Sequence, residues 1–483
     1  MSPVALFLIT IAAIFMIGTL GEIVFRRTQI PDVVWLLLVG IILGPVAGVV
    51  SRAQLGAIAP FFGALTLVVV LFDGGSRLVL AEISKAAPRS SLLALLTFSS
   101  AVAVVTLVAQ AVAAIGWLPG SWTLRHSILL GCILGGSSSI IIMPAMTLAR
   151  VRGAIANLVN LESAFTDAFC VVGAAAMIDL ILRAAAGDTG GASPGAALAR
   201  SFGVGTGIGL VSGFAWLLFL RLLKVSEHAY PITLSALLLL YVAIDQSGGS
   251  AALGILAFAV VVGNATMIWA KLGFSETLDL GTDVRGFHRQ VTFIVKSFFF
   301  TFMGAMLGPP WPMVLLGVLL GFVLLAARIP GVWLALVGSK LSSAERRLVL
   351  VSMPRGMAAG VLATMPAAAG IVGTDDLPNA VFAAALVSIL IFAVGFPQAR
   401  KGMEAAVPAG GGEPPFPPPV AEPPAAALVP AAGPAPEEPA PAPPVAVEPA
   451  PPGDPVPPPA ESSPVEPERG PVPPEGPPPA PWS

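Results

Sequence analysis

Apolar stretches, most about twenty residues long, recur thirteen times between Val4 and Phe396. With soft edges they cover 4–24, 30–50, 57–73, 91–115, 127–149, 158–182, 201–220, 230–244, 251–268, 290–308, 313–338, 346–371 and 378–396. A helix needs roughly 20 mostly apolar residues to cross a bilayer. The pattern therefore predicts an all-α membrane protein with about thirteen transmembrane helices. Only 11% of the residues are charged, against about 25% in soluble domains. No basic region precedes the first stretch, which is expected to be a first span rather than a cleaved signal.

Charge and proline divide the chain near residue 401. Residues 1–401 carry 24 basic and 16 acidic side chains, whereas residues 402–483 carry 11 acidic residues and the single base Arg469. The tail also holds 31 of the 48 prolines. Such a Pro/Ala/Glu composition cannot bury a core, so 401–483 is expected to be a disordered, extended tail. Its Pro414–Pro419 run suits a proline-reading partner module. In the body, basic residues fall singly or in pairs between apolar runs, as in membrane loops, which argues against nucleic acid. Seventeen of them lie in alternate loops, among them Arg26, Arg27, Arg77, Lys85, Arg89, Arg150, Arg152, Lys224 and Lys340. Only Arg52, Arg125, Arg183 and Arg200 lie in the opposite set. The positive-inside bias then places the N-terminus outside and the C-terminus and tail in the cytoplasm, in what is expected to be a bacterial inner membrane. Cys132 and Cys170 sit within apolar stretches, and His126, His228 and His288 in loops or at segment ends, so no disulfide framework, metal centre or other cofactor is expected.

Spans 1–6 and 8–13 are offset by seven, so the two sets run oppositely through the membrane, the inverted-repeat plan of secondary transporters. Span 5 contains Gly135, Gly136, Ser137, Ser138, Ser139 and Pro144, and its counterpart, span 12, contains Pro354, Arg355, Gly356, Gly360 and Pro366. Breaks at corresponding positions predict two discontinuous helices flanking a midplane site. Ionisable residues at membrane depth are costly and mark function by default. Here they are Glu162 and Asp167 in span 6, Lys296 in span 10, Arg328 in span 11 and Arg355 in span 12, with Asp73 closing span 3. A guanidinium fork suits a carboxylate, so Glu162 is expected to pair with Arg355, with Lys296 or Arg328 similarly employed. Asp167 is expected to be the transport carboxylate, able to hold a proton or a small cation but not easily both. The hydroxyls of Ser137, Ser138 and Ser139 and the carbonyls freed by the break are oxygen ligands for a hard cation.

Leu161-Glu162-Ser163-Ala164-Phe165-Thr166-Asp167-Ala168 resembles the Glu-Ser-x-x-Asn-Asp signature of the sodium/proton exchanger branch of the monovalent cation:proton antiporters. Met353-Pro354-Arg355-Gly356 resembles the Arg-Gly motif of that family's second broken helix. Weaker likenesses run through Pro31–Pro45, Leu71–Gly75 and Lys296–Phe300, so the resemblance covers about residues 4–396. It implies a homodimer in which each protomer has a dimerisation part (about 1–73 and 230–308) and a core part (about 91–182 and 313–396) within a transmembrane domain of residues 1–400. It also implies exchange by an elevator-like movement of the core. Carried over by position, Asp167 matches the ion- and proton-binding aspartate, Glu162 a conserved glutamate, Arg355 the arginine that holds it, and Ser163 a ligand of the monovalent cation. The sequence departs from the pattern at Thr166, where the branch has Asn, and in span 5, where an expected acidic ligand is replaced by the serine run. One carboxylate at the motif favours electroneutral exchange, and the missing acid makes potassium a serious rival to sodium, with lithium a further candidate.

The expected function is thus antiport of a monovalent cation against protons, with cation, proton and lipid as partners. A sodium-coupled symporter of an organic anion on the same plan is the alternative. An intramembrane enzyme is disfavoured, since every histidine is peripheral to the buried acids.

Overall fold

The computed structural model describes residues 3–28, 30–49, 52–76, 80–185, 194–222, 229–271, 281–339 and 341–405, all within one compact unit, Met1–Pro419. Residues 406–483 of the tail, together with Arg77, Lys224, His228 and Lys340, lie outside the described residues.

Every described element is helical: α1 (Pro3–Thr28), α2 (Asp32–Ile41, continued by a π-helical turn over Ile42–Val46), α3 (Arg52–Ser76), α4 (Leu80–Ala114), α5 (Leu124–Leu134), α6 (Ser139–Leu148), α7 (Gly153–Ala185), α8 (Pro194–Leu222), α9 (Ala229–Gln246), α10 (Ala251–Gly263), α11 (Ala265–Lys271), α12 (Gly281–Met306), α13 (Trp311–Ala335), α14 (Ser343–Val351), α15 (Met357–Ala368) and α16 (Leu377–Ala405). Seven segments are long and apolar enough to cross a membrane: those of α1, α4, the α5–α6 pair, α7, α8, α13 and α16. The α10–α11 pair, bent by 65°, makes an eighth if it is one span. Five shorter apolar helices, of 10–17 residues, lie over α2, α3, α9, α12 and α15. The chain is an integral membrane protein whose apolar surface is turned outward, with Leu8, Met16, Phe61, Leu107 and Leu239 all more than half exposed.

Packing follows small residues. Helices α2 and α12 lie side by side because Gly40 and Gly304 face each other, and a Cβ on either would strike the other helix's backbone. Helix α13 packs between α4 and α16, α4 also meets α5 and α7, and α3 runs along α10 and α15. The unwound stretches fall at 135–138, between α5 and α6, and at 352–356, between α14 and α15. Pro144, Gly360 and Pro366, read above as part of the breaks, lie inside α6 and α15. Unwinding is confined to stretches whose freed backbone groups find partners across the gap, whereas a proline inside a buried helix removes a single hydrogen bond.

Local caps set two of the helix starts beside these breaks. Thr123 and His126 form a reciprocal cap at the start of α5. Ser342 and Glu345 form a capping box at α14, with Glu345 N–H donating to Ser342 Oγ (3.2 Å) and Ser342 N–H donating to Glu345 Oε2 (2.7 Å). The other Glu345 oxygen accepts from Arg152, just before α7, at 2.8 Å. Burial pushes the Glu345 carboxyl up, but the Ser342 backbone N–H, the Arg152 guanidinium and the Ser342 hydroxyl together hold it below its ordinary value. A depressed carboxyl stabilises the fold above its unfolded pKa, about 4.3, and loses that contribution as pH falls through the lower folded value. Glutamine keeps the capping box and loses the ion pair with Arg152, so Glu345→Gln is expected to cost about 0.5–1 kcal/mol at neutral pH. Thermal unfolding in detergent checks this, and the gap from wild type should close as the buffer is acidified below about pH 4.

Candidate functional site

The two unwound stretches cross, and each satisfies the other. Ser138 N–H donates to Pro354 C=O at 2.8 Å. The Arg355 guanidinium donates to Gly136 C=O, and Arg355 N–H donates to Ser388 Oγ on α16 at 2.9 Å. Ser137 N–H donates to Thr166 Oγ1 on α7 at 3.2 Å. A side chain at Gly356 would land on the Ser138 hydroxyl, so the crossing needs glycine there. At membrane depth no water replaces these bonds, and irregular backbone persists only where protein partners or a cavity accept it.

Glu162 and Asp167, five residues apart on α7, have different surroundings. Glu162 is fully buried and clasped by Arg328 of α13, with Nη1–Oε1 at 2.8 Å and Nη2–Oε2 at 2.9 Å. This corrects the expected Glu162–Arg355 pair: Arg355 is turned onto the broken end of α5 instead. Arg328 also donates to Val349 C=O, tying α13 and α7 to α14. Thr97 of α4 lies 3.2 Å from Glu162 Oε1, and Ser137 Oγ lies 3.2 Å from Oε2. Ser137 and Ser163 share a hydrogen bond of 2.8 Å, and Thr166 Oγ1 donates to Ser163 C=O. The hydroxyls of Ser137, Ser163 and Thr166 are thus gathered on the glutamate side of the break.

Asp167 faces the other way. Its Oδ1 would lie 3.3 Å from a Cβ added at Gly136, and its side chain lines a small cavity of about 20 Å³. Ser139 at the start of α6, Asn160 and Ala164 of α7, and Leu71 and Gly74 of α3 line the same space. A second cavity, of about 250 Å³, borders the other half of α7 at Val171, Ile178 and Asp179, with Tyr241 and Asp245 of α9 on its far wall. Leu67 and Leu362 close it toward the middle. The two cavities are one helical turn apart on each of α3 (Val70, Leu67), α7 (Ala168, Val171) and α15 (Ala358, Leu362).

Lys296, anticipated as a charge at membrane depth, lies apart from this centre. Lys296 of α12 pairs with Asp32 at the start of α2 at 2.5 Å, so it is not a partner for Glu162. Asp73 is buried at the end of α3, next to Gly74 of the small cavity. Asp179 pairs with Arg183 at 2.7 Å. Thr97, Ser388, Asn160 and Asp32 were not singled out by sequence reasoning as members of these clusters. Asp32 and Asn160 gave a signal, as polar residues near the starts of apolar runs. Thr97 and Ser388 did not, because hydroxyls in membrane helices commonly bond their own backbone.

Removing one partner of a buried ion pair strands the other charge and costs about 3–5 kcal/mol. Arg328→Met is therefore expected to destabilise the protein far more than Lys296→Met, whose side chains remain about 15% exposed. Thermal unfolding of the two purified variants decides this, and equal midpoints would contradict the assignment of Arg328 as Glu162's partner.

Comparisons with known proteins agree with this architecture. The profile of the transmembrane sodium/hydrogen exchanger family matches residues 10–399. The chain is 28% identical over 341 residues to the K(+)/H(+) antiporter NhaP2 of Shewanella sp. (strain ANA-3), a match covering 68% of this chain and 54% of that protein. It therefore spans about half the length of that relative. It is 25% identical over 370 residues to Na(+)/H(+) antiporter 1 of Methanocaldococcus jannaschii, covering 75% of this chain and 82% of the relative. The fold superposes on the structure of the sodium proton antiporter MjNhaP1 from Methanocaldococcus jannaschii at pH 8 with a TM-score of 0.66, at 20% identity, over 82% of this chain and 99% of the other. With the profile running through both unwound stretches and both acids of α7, the chain belongs to the sodium/hydrogen exchanger family.

Proposed function

We propose that the protein is a secondary antiporter exchanging Na+ or K+ for H+, with Asp167 as the carboxylate both ligands share. The observation that carries this reading is the unequal treatment of the two acids. Arg328 neutralises Glu162 in place, whereas Asp167 accepts no hydrogen bond from another described residue and lines a cavity beside broken backbone. One uncommitted carboxylate binds one proton or one monovalent cation. The loaded site then carries the same charge in both directions, which makes the exchange electroneutral. Ser137, Ser163 and Thr166 hold the glutamate side of the site rigid, and the Arg355 guanidinium holds the broken end of α5.

Cavities on adjoining stretches of α7, about 160–168 and 171–182 and separated by about one helical turn, or about 5 Å, support alternating access: a shift of that size would carry Asp167 from one to the other. In this reading the core, about 91–182 and 313–396, moves in the manner of an elevator against a dimerising part, about 1–73 and 230–308. Thirteen crossings in two inverted sets, a homodimer, and a C-terminus on the basic, cytoplasmic side complete it. The small cavity then opens toward the cytoplasm, since α7 enters it from Arg150 and Arg152. Organic-anion symport has no support here, as the space beside Asp167 has room for roughly one water.

The test is exchange in proteoliposomes, with sodium, lithium, potassium and rubidium pulsed against a proton gradient at fixed pH. Wild type is expected to dissipate the gradient with at least one of these ions, and Asp167→Asn to lose the activity. The rate should be bell-shaped in pH, because protons displace the cation at low pH and proton supply limits at high pH. Identical rates for wild type and Asp167→Asn would end this proposal.

A further inference from the structure

Asn160 and Asp167 stand seven residues apart on one face of α7, about 10 Å along the helix, with Ala164 between them. All three border the small cavity, and Ser139 borders it from α6. Among the residues lining that space, those whose side chains carry oxygen are Asn160, Ser139 and Asp167. None of the three makes a side-chain hydrogen bond to another described residue, although hydroxyls nearby at Ser137, Ser163 and Thr166 are all engaged. The rest of the wall is aliphatic or glycine, including Leu71, Leu161 and Leu256. A cation entering a space of about 20 Å³ must shed nearly all its water, since that volume holds roughly one molecule. Protein oxygens have to replace what it sheds.

We propose that Asn160 is a cation-selecting residue: its amide oxygen takes over hydration of the incoming ion at the mouth of the cavity and, with Ser139, passes it to Asp167. The small side chain of Ala164 leaves the trough between them open. This deepens the antiport reading and rests on it. An amide oxygen is neutral, so it attracts the cation without holding a proton. Its loss raises the cation concentration needed and leaves the proton affinity of Asp167 itself unchanged.

The experiment uses full-length protein in proteoliposomes and detergent, comparing wild type, Asn160→Leu and Asn160→Gln. Asn160→Leu removes the oxygen at similar volume and is expected to raise the apparent KM for sodium or potassium at least fivefold. The acidic limb of the pH profile should stay in place when each protein is compared at a cation concentration scaled to its own KM, and the order among sodium, potassium and rubidium should compress. Asn160→Gln should restore at least half of the lost affinity. A KM for Asn160→Leu within twofold of wild type overturns the proposal, and so does a glutamine variant as impaired as the leucine one, which marks a packing role. Should Asn160→Leu not purify as a single species, Asn160→Ala takes its place with the same expectations. Stabilisation against heat by added sodium or potassium gives a readout independent of transport. Equal half-saturating concentrations for wild type and Asn160→Leu there also sink the assignment. Cation stabilisation without any proton exchange would instead refute antiport while leaving Asn160's role standing.

Discussion

Backbone stripped of its helical hydrogen bonds at membrane depth must be repaired by protein, and the repair organises this molecule. The unwound stretches at 135–138 and 352–356 meet through Ser138 N–H and Pro354 C=O, and Arg355 covers Gly136 C=O. Neither stretch is tenable without the other, because lipid offers neither donors nor acceptors. From that crossing follow glycine at 356, where a side chain would collide with Ser138, and the contact of α7 through Thr166. The caps at Thr123 and Ser342 fix the outer ends of the same broken helices, so the crossing is held at its centre and at two margins.

Around this crossing the charges are divided between support and chemistry. A buried ion pair contributes little net stability against an apolar equivalent, but either half alone is costly. Glu162 and Arg328 therefore read as a brace that joins α7, α13 and α14 and keeps one carboxylate paired. The hydroxyls of Thr97, Ser137 and Ser163 complete that brace. Asp167, one turn and a half further along α7, receives none of this and borders open space instead. The contrast between two acids on one helix is what a site needs if it is to exchange a proton for a cation without altering its own scaffold.

Much of this was legible from residue order. Apolar length located the helices, since each of the thirteen stretches overlaps a helix or helix pair, and clustered glycine, serine and proline marked the two breaks. The extent of unwinding was less legible: Pro144 and Pro366 stayed helical because the cost of one missing bond is local, while unwinding depends on partners supplied by another segment. The pair of Lys296 with Asp32 escaped for a similar reason. The two residues are 264 positions apart, and only the close approach of α2 and α12 at Gly40 and Gly304 makes them neighbours.

The sequence by itself determined that this is a helical membrane protein with two interrupted helices, and that Glu162 and Asp167 share a helix five residues apart. Those are properties of composition and period along one chain segment. Only the tertiary structure decided which of three cations, one on α12, one on α13 and one in the 352–356 break, reaches Glu162. Arg328 reaches it, so Asp167 is the acid left facing a cavity. The physical reason is that a pairing between helices depends on their relative depth and rotation, which are set by packing across the whole bundle and are not written in the spacing of either helix.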